Sequence, residues 1–245
     1  GPDGGHSLSV CTYQHAHDTS MKLKECIEKM RQGTRQRLVI GTGHGACTCE
    51  GAAFEYVFNV EHELREAGVR DMADVYYLTN ETELGDFSVG GMQFAQKDGS
   101  VVSSAEWMGG MFADRGIHVI DSSHVLKVEP GVVHFEQLDG TVSSQDFDFA
   151  MLLPPFRGVD MKAFDRDGGD ITDRVFAPSG FMKVDADYSQ KPFEEWTAED
   201  WPKTYESPAY PNVFAAGIAF APPHAISRPQ QTPTGNPIAP APPRT

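Results

Sequence analysis

The chain has 245 residues, 40% of them apolar, with a formal charge of −15 at neutral pH and an isoelectric point near 4.9, enough apolar material for one large core or two small ones. No cluster of Lys and Arg of the kind that neutralises phosphates is present, which excludes nucleic acid and anionic lipid surfaces as partners. No apolar run approaches the ~20 residues that span a bilayer, and the N-terminus GPDGGHS has neither a basic nor an apolar leader segment, so a soluble globular chain is expected.

SLSVCT reads as a short strand, followed by a helix from about His15 to Arg31 with Met21, Leu23, Ile27 and Met30 on its apolar side and Gly33 at its end. RLVIGTG is a buried strand entering a glycine turn. GAAFEYVFNVEHELREAG is a helix with Phe54, Val57, Phe58, Val60 and Leu64 apolar and Gly68 closing it, and DVYYLTN is the next strand. This β, glycine turn, α, β order predicts an α/β fold of the Rossmann type, with a right-handed crossover and a ligand site at the carboxyl ends of the strands. A helix is expected from Ser104 to Arg115, and the alternating stretch after it predicts β-hairpins with turns at Glu129-Pro130-Gly131 and Asp139-Gly140. Residues 160–173 read as loop, GFMKVDADY as a strand, TAEDWPKTYESPAYP as an ordered irregular segment and NVFAAGIA as a last buried strand. Eight prolines from Pro222 to Pro243 forbid regular helix or central strand to the end.

Four cysteines, Cys11, Cys26, Cys47 and Cys49, are too sparse for a disulfide scaffold, and the C-x-C pair lacks a second ligand pair for zinc, so no metal site is expected. In GTGHGACTCEG, Gly41, Gly43 and Gly45 permit close approach of backbone to a ligand, but the spacing departs from G-x-G-x-x-G, and Glu81 lies about twice as far from the glycines as a ribose-binding acid would. The glycines therefore serve either a nicotinamide site or merely a tight turn. Cys49 stands where the turn becomes a helix, a place that favours a thiolate; the alternatives are a redox thiol and a buried small hydrophobe. Cys11 and His15, four residues apart at the end of a strand and the start of a helix, form either a thiol and imidazole pair or a buried cysteine with a solvated histidine.

SVCTYQHA, the run Cys49-Glu50-Gly51-Ala52-Ala53-Phe54-Glu55, MLLPPFRGV, NVFAAGIA and PTGNPIAPAPPRT together resemble the sulfide:quinone oxidoreductases, flavoenzymes built from two dinucleotide-binding domains, over nearly the whole chain. The resemblance implies a Rossmann-like domain with a β-hairpin insertion plus part of an FAD-binding domain. Residues 1–35 would belong to the FAD-binding part, 36–150 to the nicotinamide-type domain, used without a nicotinamide, and 151–245 would return to the FAD-binding part. The G-x-G-x-x-G turn that holds the FAD pyrophosphate would lie outside the chain, so an internal fragment, inactive and free of FAD by itself, is expected.

The implied chemistry has sulfide attacking a cysteine disulfide to form a persulfide, and the released thiolate passing two electrons through FAD to a quinone. Cys49 would be one disulfide partner and the other would lie beyond Thr245; Cys11 would be an accessory thiol and His15 a proton carrier. Cys47 has no counterpart in the resembled pattern and reads as structural. Gly217 and Ile218, standing where relatives have Gly-Asp, would meet the flavin through backbone amides. Pro155, with Pro154 and Phe156, would line the isoalloxazine or the substrate channel, and Gly45 the cofactor side of the glycine turn. Asp86 stands where many relatives have histidine and reads either as a changed proton carrier or as a turn residue; the former leaves open a flavocytochrome-type sulfide dehydrogenase or another FAD-dependent NAD(P)H or quinone oxidoreductase, and a binding or sensor module without turnover is a separate alternative. The resemblance further implies a parent protein peripheral on a membrane, and it admits a homo-oligomer.

Overall fold

The computed structural model describes residues 5–43, 50–86, 91–225 and 228–238. The chain forms two units. Unit 1 contains residues up to Pro155 and the returning strap from Pro229; unit 2 is the insert Phe156–Arg228.

Unit 1 is built on a parallel sheet of β1 (Gln36–Thr42), β2 (Ala73–Leu78), β5 (Ile117–Ile120) and β9 (Phe149–Leu153) in the order β5-β2-β1-β9. β1 and β9 are buried almost throughout, as expected for strands covered on both faces. Leu8 adds a parallel bridge beside Met151, so the predicted strand SLSVCT is reduced to one bridged residue along β9. α1 (Tyr13–Arg31) and α2 (Glu50–Glu66) pack on the sheet through Cys26 and Met30 and through Ala53, Phe54, Val57, Val60 and Leu64. Phe54 stacks on Tyr77 at 4.9 Å, and Phe112 of α3 (Ser104–Asp114) meets both rings edge-on.

Gly41 fixes how closely β1 and β2 approach: a Cβ there would fall 1.8 Å from the carbonyl oxygen of Leu78. Between β5 and β9 runs an antiparallel meander of β6 (Ser123–Glu129), β7 (Val132–Gln137) and β8 (Val142–Asp146), turning at Pro130-Gly131 and Asp139-Gly140 as the sequence predicts. A small exposed hairpin of β3 (Gln93–Ala95) and β4 (Val101–Ser103) was not predicted.

The strap closes on the meander. Its two short strands, β10 (Gln230–Gln231) and β11 (Pro237–Ile238), flank a turn whose Thr232 Oγ1, Thr234 Oγ1 and Asn236 Nδ2 all donate to Glu136 Oε2, at 2.9, 2.6 and 2.7 Å. His124, opposite Glu136 in the β6–β7 register, holds the strap through Nδ1 to the Pro237 carbonyl at 3.1 Å.

Unit 2 has little regular structure: α4 (Thr172–Val175), single-turn helices and isolated bridges. Two predicted strands are absent. GFMKVDADY contributes only the bridging residue Met182, paired to Phe176 and Phe220. NVFAAGIA is mostly exposed rather than buried: Phe214 bridges Glu206, Ala215 N donates to Tyr205 O, and Gly217 at φ +66° breaks the extended run into a single helical turn. Pairing with a local hairpin leaves its apolar side chains without a covering layer within the unit. Asp185 organises the unit instead, accepting from the amides of Lys203, Thr204 and Tyr205 and from the Thr204 hydroxyl at 2.8–3.2 Å. Burial opposes ionisation of Asp185, but these donors hold its carboxyl below the usual range.

Candidate functional site

The chain reverses direction across the sheet between β1 and β9, and in an open parallel sheet a ligand binds outside the carboxyl ends at such a switch. Residues from separate parts of unit 1 reach that edge. β1 ends at Thr42, and Gly43 N donates to the carbonyl of Leu153 at the end of β9. Pro155 follows β9 and is exposed. Alongside β9, the segment after Leu8 carries Cys11 to the same edge, with its amide donating to Ser9 Oγ at 3.2 Å and its thiol group on an exposed residue. Thr12 caps α1 by accepting from His15 N at 3.2 Å, so half-buried His15 sits in the first helical turn, one turn from Cys11. The structure therefore brings Cys11, His15 and Pro155 to one end of unit 1. Cys49 and Gly45 lie outside the described residues, as does Cys47; the flanks of their segment, Gly43 and Glu50, join the end of β1 to the first turn of α2. Cys26, by contrast, is fully buried, and burial pushes its thiol pKa up, as for an inert core cysteine.

Under this edge lies a polar network that no sequence pattern announced. Thr42 Oγ1 donates to Asn80 Oδ1 at 2.8 Å, and Thr79 Oγ1 to Glu81 Oε2 at 3.2 Å, with all four residues buried. It ties the ends of β1 and β2 together. Glu81, fully buried here, is not presented to a ribose from outside the sheet. Asp86 is buried at 8% exposure. Asp121, directly after β5, is half-buried, and burial first, then the nearby Glu83 charge, push its carboxyl pKa up.

In unit 2, Gly217 and Ile218 are both exposed, Ile218 at 66%. A Cβ on Gly217 would meet nothing within 4 Å, so its backbone is open to a ligand. Among the described residues no group of His, Cys, Asp and Glu is arranged to hold a metal, and no helix is long and apolar enough to cross a membrane.

No known protein-family profile matches the sequence. The sulfide-quinone reductase of Aquifex aeolicus is 28% identical over 232 residues, 95% of this chain and 45% of that protein. The crystal structure of the sulfide:quinone oxidoreductase from the same bacterium superposes with a TM-score of 0.67 at 26% identity, over 99% of this chain and 46% of that one. The chain is similar to the sulfide:quinone oxidoreductases. It spans about half the length of the relatives it matches. A further structure, NDH2 from Plasmodium falciparum, matches 90% of the chain with a TM-score of 0.55 at 12% identity, a likeness of fold alone. The parallel sheet and the antiparallel meander before β9 are thus those of a Rossmann-like flavoprotein fold.

Proposed function

We propose that the chain is part of a longer FAD-dependent oxidoreductase that oxidises sulfide and reduces a quinone. The observation that carries this reading is the similarity to sulfide-quinone reductase along 95% of the chain, with exposed Cys11 beside the carboxyl edge of the sheet. In this reading residues 36–150 supply the nicotinamide-type domain, while 1–35 and 151–245 contribute to the flavin-binding part. From the resemblance, Gly217, Ile218, Pro155 and Gly45 would each contact a flavin, and for Gly217 this agrees with a backbone that has open space around it. Bound FAD would supply two-electron transfer between thiolate and quinone.

The chain's own residues would do the rest. Hydrosulfide attacks a disulfide of which Cys49 is one half; the S–S bond breaks, a persulfide forms on one sulfur, and the other leaves as a thiolate. Cys11 offers a second exposed thiol for passing sulfur onward, and His15 carries the proton lost by the incoming sulfide. Peripheral membrane attachment would be a property of the longer protein. Asp86, buried where many relatives have histidine, favours a second reading in which the electrons go to an acceptor other than a quinone.

The test is anaerobic titration of the complete, FAD-loaded longer protein with sulfide, followed by a soluble quinone. Bleaching of the flavin by sulfide, its recovery with quinone, and loss of bleaching in Cys49→Ser are expected. A flavin that sulfide leaves oxidised overturns the reading, whereas bleaching without recovery assigns the other acceptor.

A further inference from the structure

Unit 2 contains a row of five rings in contact. Trp196 stacks on His224 at 4.3 Å, His224 meets Trp201 edge-on at 5.6 Å, Trp201 meets Phe220 at 5.8 Å, and Phe220 meets Tyr205 edge-on at 5.1 Å. The three rings that can give up an electron, two indoles and a phenol, alternate with two that cannot readily do so. Each step from one to the next crosses a single intervening ring, a separation over which one-electron tunnelling in proteins is fast.

Aromatic rings also gather for packing alone, and three observations set this row apart from that. First, none of the five rings belongs to the buried cluster of the unit, which is centred on Ala177, Phe181 and Ala221. Trp196 and Trp201 instead line an open cleft of about 510 Å³, where a small oxidant reaches either indole.

Second, the row ends at a strained residue. Tyr205 has φ +61°, in the left-handed region that bulky side chains avoid, and Asp185 Oδ1 pins it there by accepting from its amide at 2.8 Å. Third, Tyr205 suits a phenoxyl radical better than the other tyrosines of the unit. It is 38% exposed, so its phenol can give its proton to water. Tyr188 spends its hydroxyl on the Ala221 carbonyl, and Tyr210 lies under the Arg174 guanidinium, whose charge opposes loss of an electron from the ring.

We propose that Trp196, Trp201 and Tyr205 form a radical relay, which intercepts one-electron oxidants of the oxygen- or sulfur-radical class at the cleft and carries the oxidation to Tyr205. The oxidant takes one electron from an indole, whose Nε1 proton then leaves. Tyr205 passes one electron back along the row and releases its phenolic proton to water; the indole regains an electron and a proton, and the unpaired electron rests on the phenoxyl group. A thiol or hydrosulfide in solution restores the phenol by giving up one electron and one proton. The relay needs neither flavin nor quinone, so its failure and failure of the function proposed above are separate results.

The test is pulse radiolysis of the full chain with the azide radical, which oxidises indoles much faster than neutral phenols, at less than one radical per molecule. Trp107→Phe serves as the background, because it removes the one tryptophan of unit 1. The indolyl absorbance is expected to decay as the phenoxyl absorbance grows, with one shared first-order rate that does not depend on protein concentration. Tyr205→Phe keeps the ring against Phe220 and should abolish that phase, leaving a long-lived indolyl radical. Phe220→Leu removes the bridging ring and should slow the phase severalfold, with circular dichroism confirming the fold. An indolyl radical that decays without phenoxyl growth, a rate that rises with protein concentration, or a phase that survives Tyr205→Phe would overturn the proposal.

Discussion

Unit 1 and unit 2 are made from the same chain by different means. In unit 1, parallel strands and helices bury a continuous core around Tyr77, Phe112, Phe149 and Leu38, and the polar groups are chiefly backbone paired in ladders. In unit 2, the buried cluster is small, centred on Ala177, Phe181 and Ala221, and the backbone is held by carboxylates and hydroxyls reaching across loops. The contrast teaches that one unit depends on apolar volume and close backbone approach, the other on a few charged acceptors, so the two should fail under different insults.

The largest effect is expected at Gly41. Gly41→Ala would drive a methyl into the Leu78 carbonyl, parting β1 from β2 at the candidate site, and unit 1 should lose cooperative unfolding altogether; a cooperative transition in thermal denaturation would refute the close approach. Next, Phe54→Ala removes the ring stacked on Tyr77 and should cost about 3–5 kcal/mol in denaturant unfolding. A loss well under that would mean that α2 repacks over the gap.

Asp185→Ala should sharpen the comparison by loosening unit 2 alone. Removing the acceptor for the 203–205 backbone should cost about 1–3 kcal/mol and speed hydrogen exchange in residues 203–220 while β1 and β9 stay protected. Acid offers the same test without mutation. Because the folded pKa of Asp185 is depressed, its contribution is present above the unfolded value near 3.8 and is lost as pH falls through the folded pKa, so exchange in residues 203–220 should rise on acidification below about pH 4, as should that of the strap held by Glu136, while β1 and β9 stay protected.

The smallest effect runs the other way. Asp121 has a raised pKa in the fold, so its ionised form is disfavoured there; Asp121→Asn should stabilise slightly at neutral pH, with the gain vanishing as pH falls below the unfolded carboxylate value. Thermal unfolding of the two proteins at neutral and acid pH would show the crossover.

The same contrast explains what the sequence made legible. In α2 the apolar residues Phe54, Val57, Val60 and Leu64 recur at helical spacing and are all buried, and β1 reads as a buried strand from its apolar run, whereas β5 and β9 lie in the stretch that reads as hairpins and instead pair parallel with β2 and β1. NVFAAGIA has the same apolar signature as β9, yet it is exposed: composition reports which residues seek burial, not whether a neighbouring layer is present to bury them. The β3–β4 hairpin was missed because its strands are three residues long and solvent-facing, leaving only the Asp98-Gly99 turn as a signal. At the candidate site, Cys11, His15 and the glycine turn were visible as motifs. Thr42 and Asn80 were not, because their hydrogen bond joins positions 38 residues apart that only strand pairing brings together.

The strap carries a consequence for the order in which the molecule assembles. Glu136 waits for donors that lie 96 to 100 residues further along the chain, and the whole of unit 2 is threaded between them. On a ribosome the meander can form early, but its buried carboxylate stays without its three donors until residue 236 has emerged, and by then the insert has been synthesised. Closing so long a loop is entropically slow, whereas its cost grows only logarithmically with length. The strap can therefore seal unit 1 only after the insert between has been made.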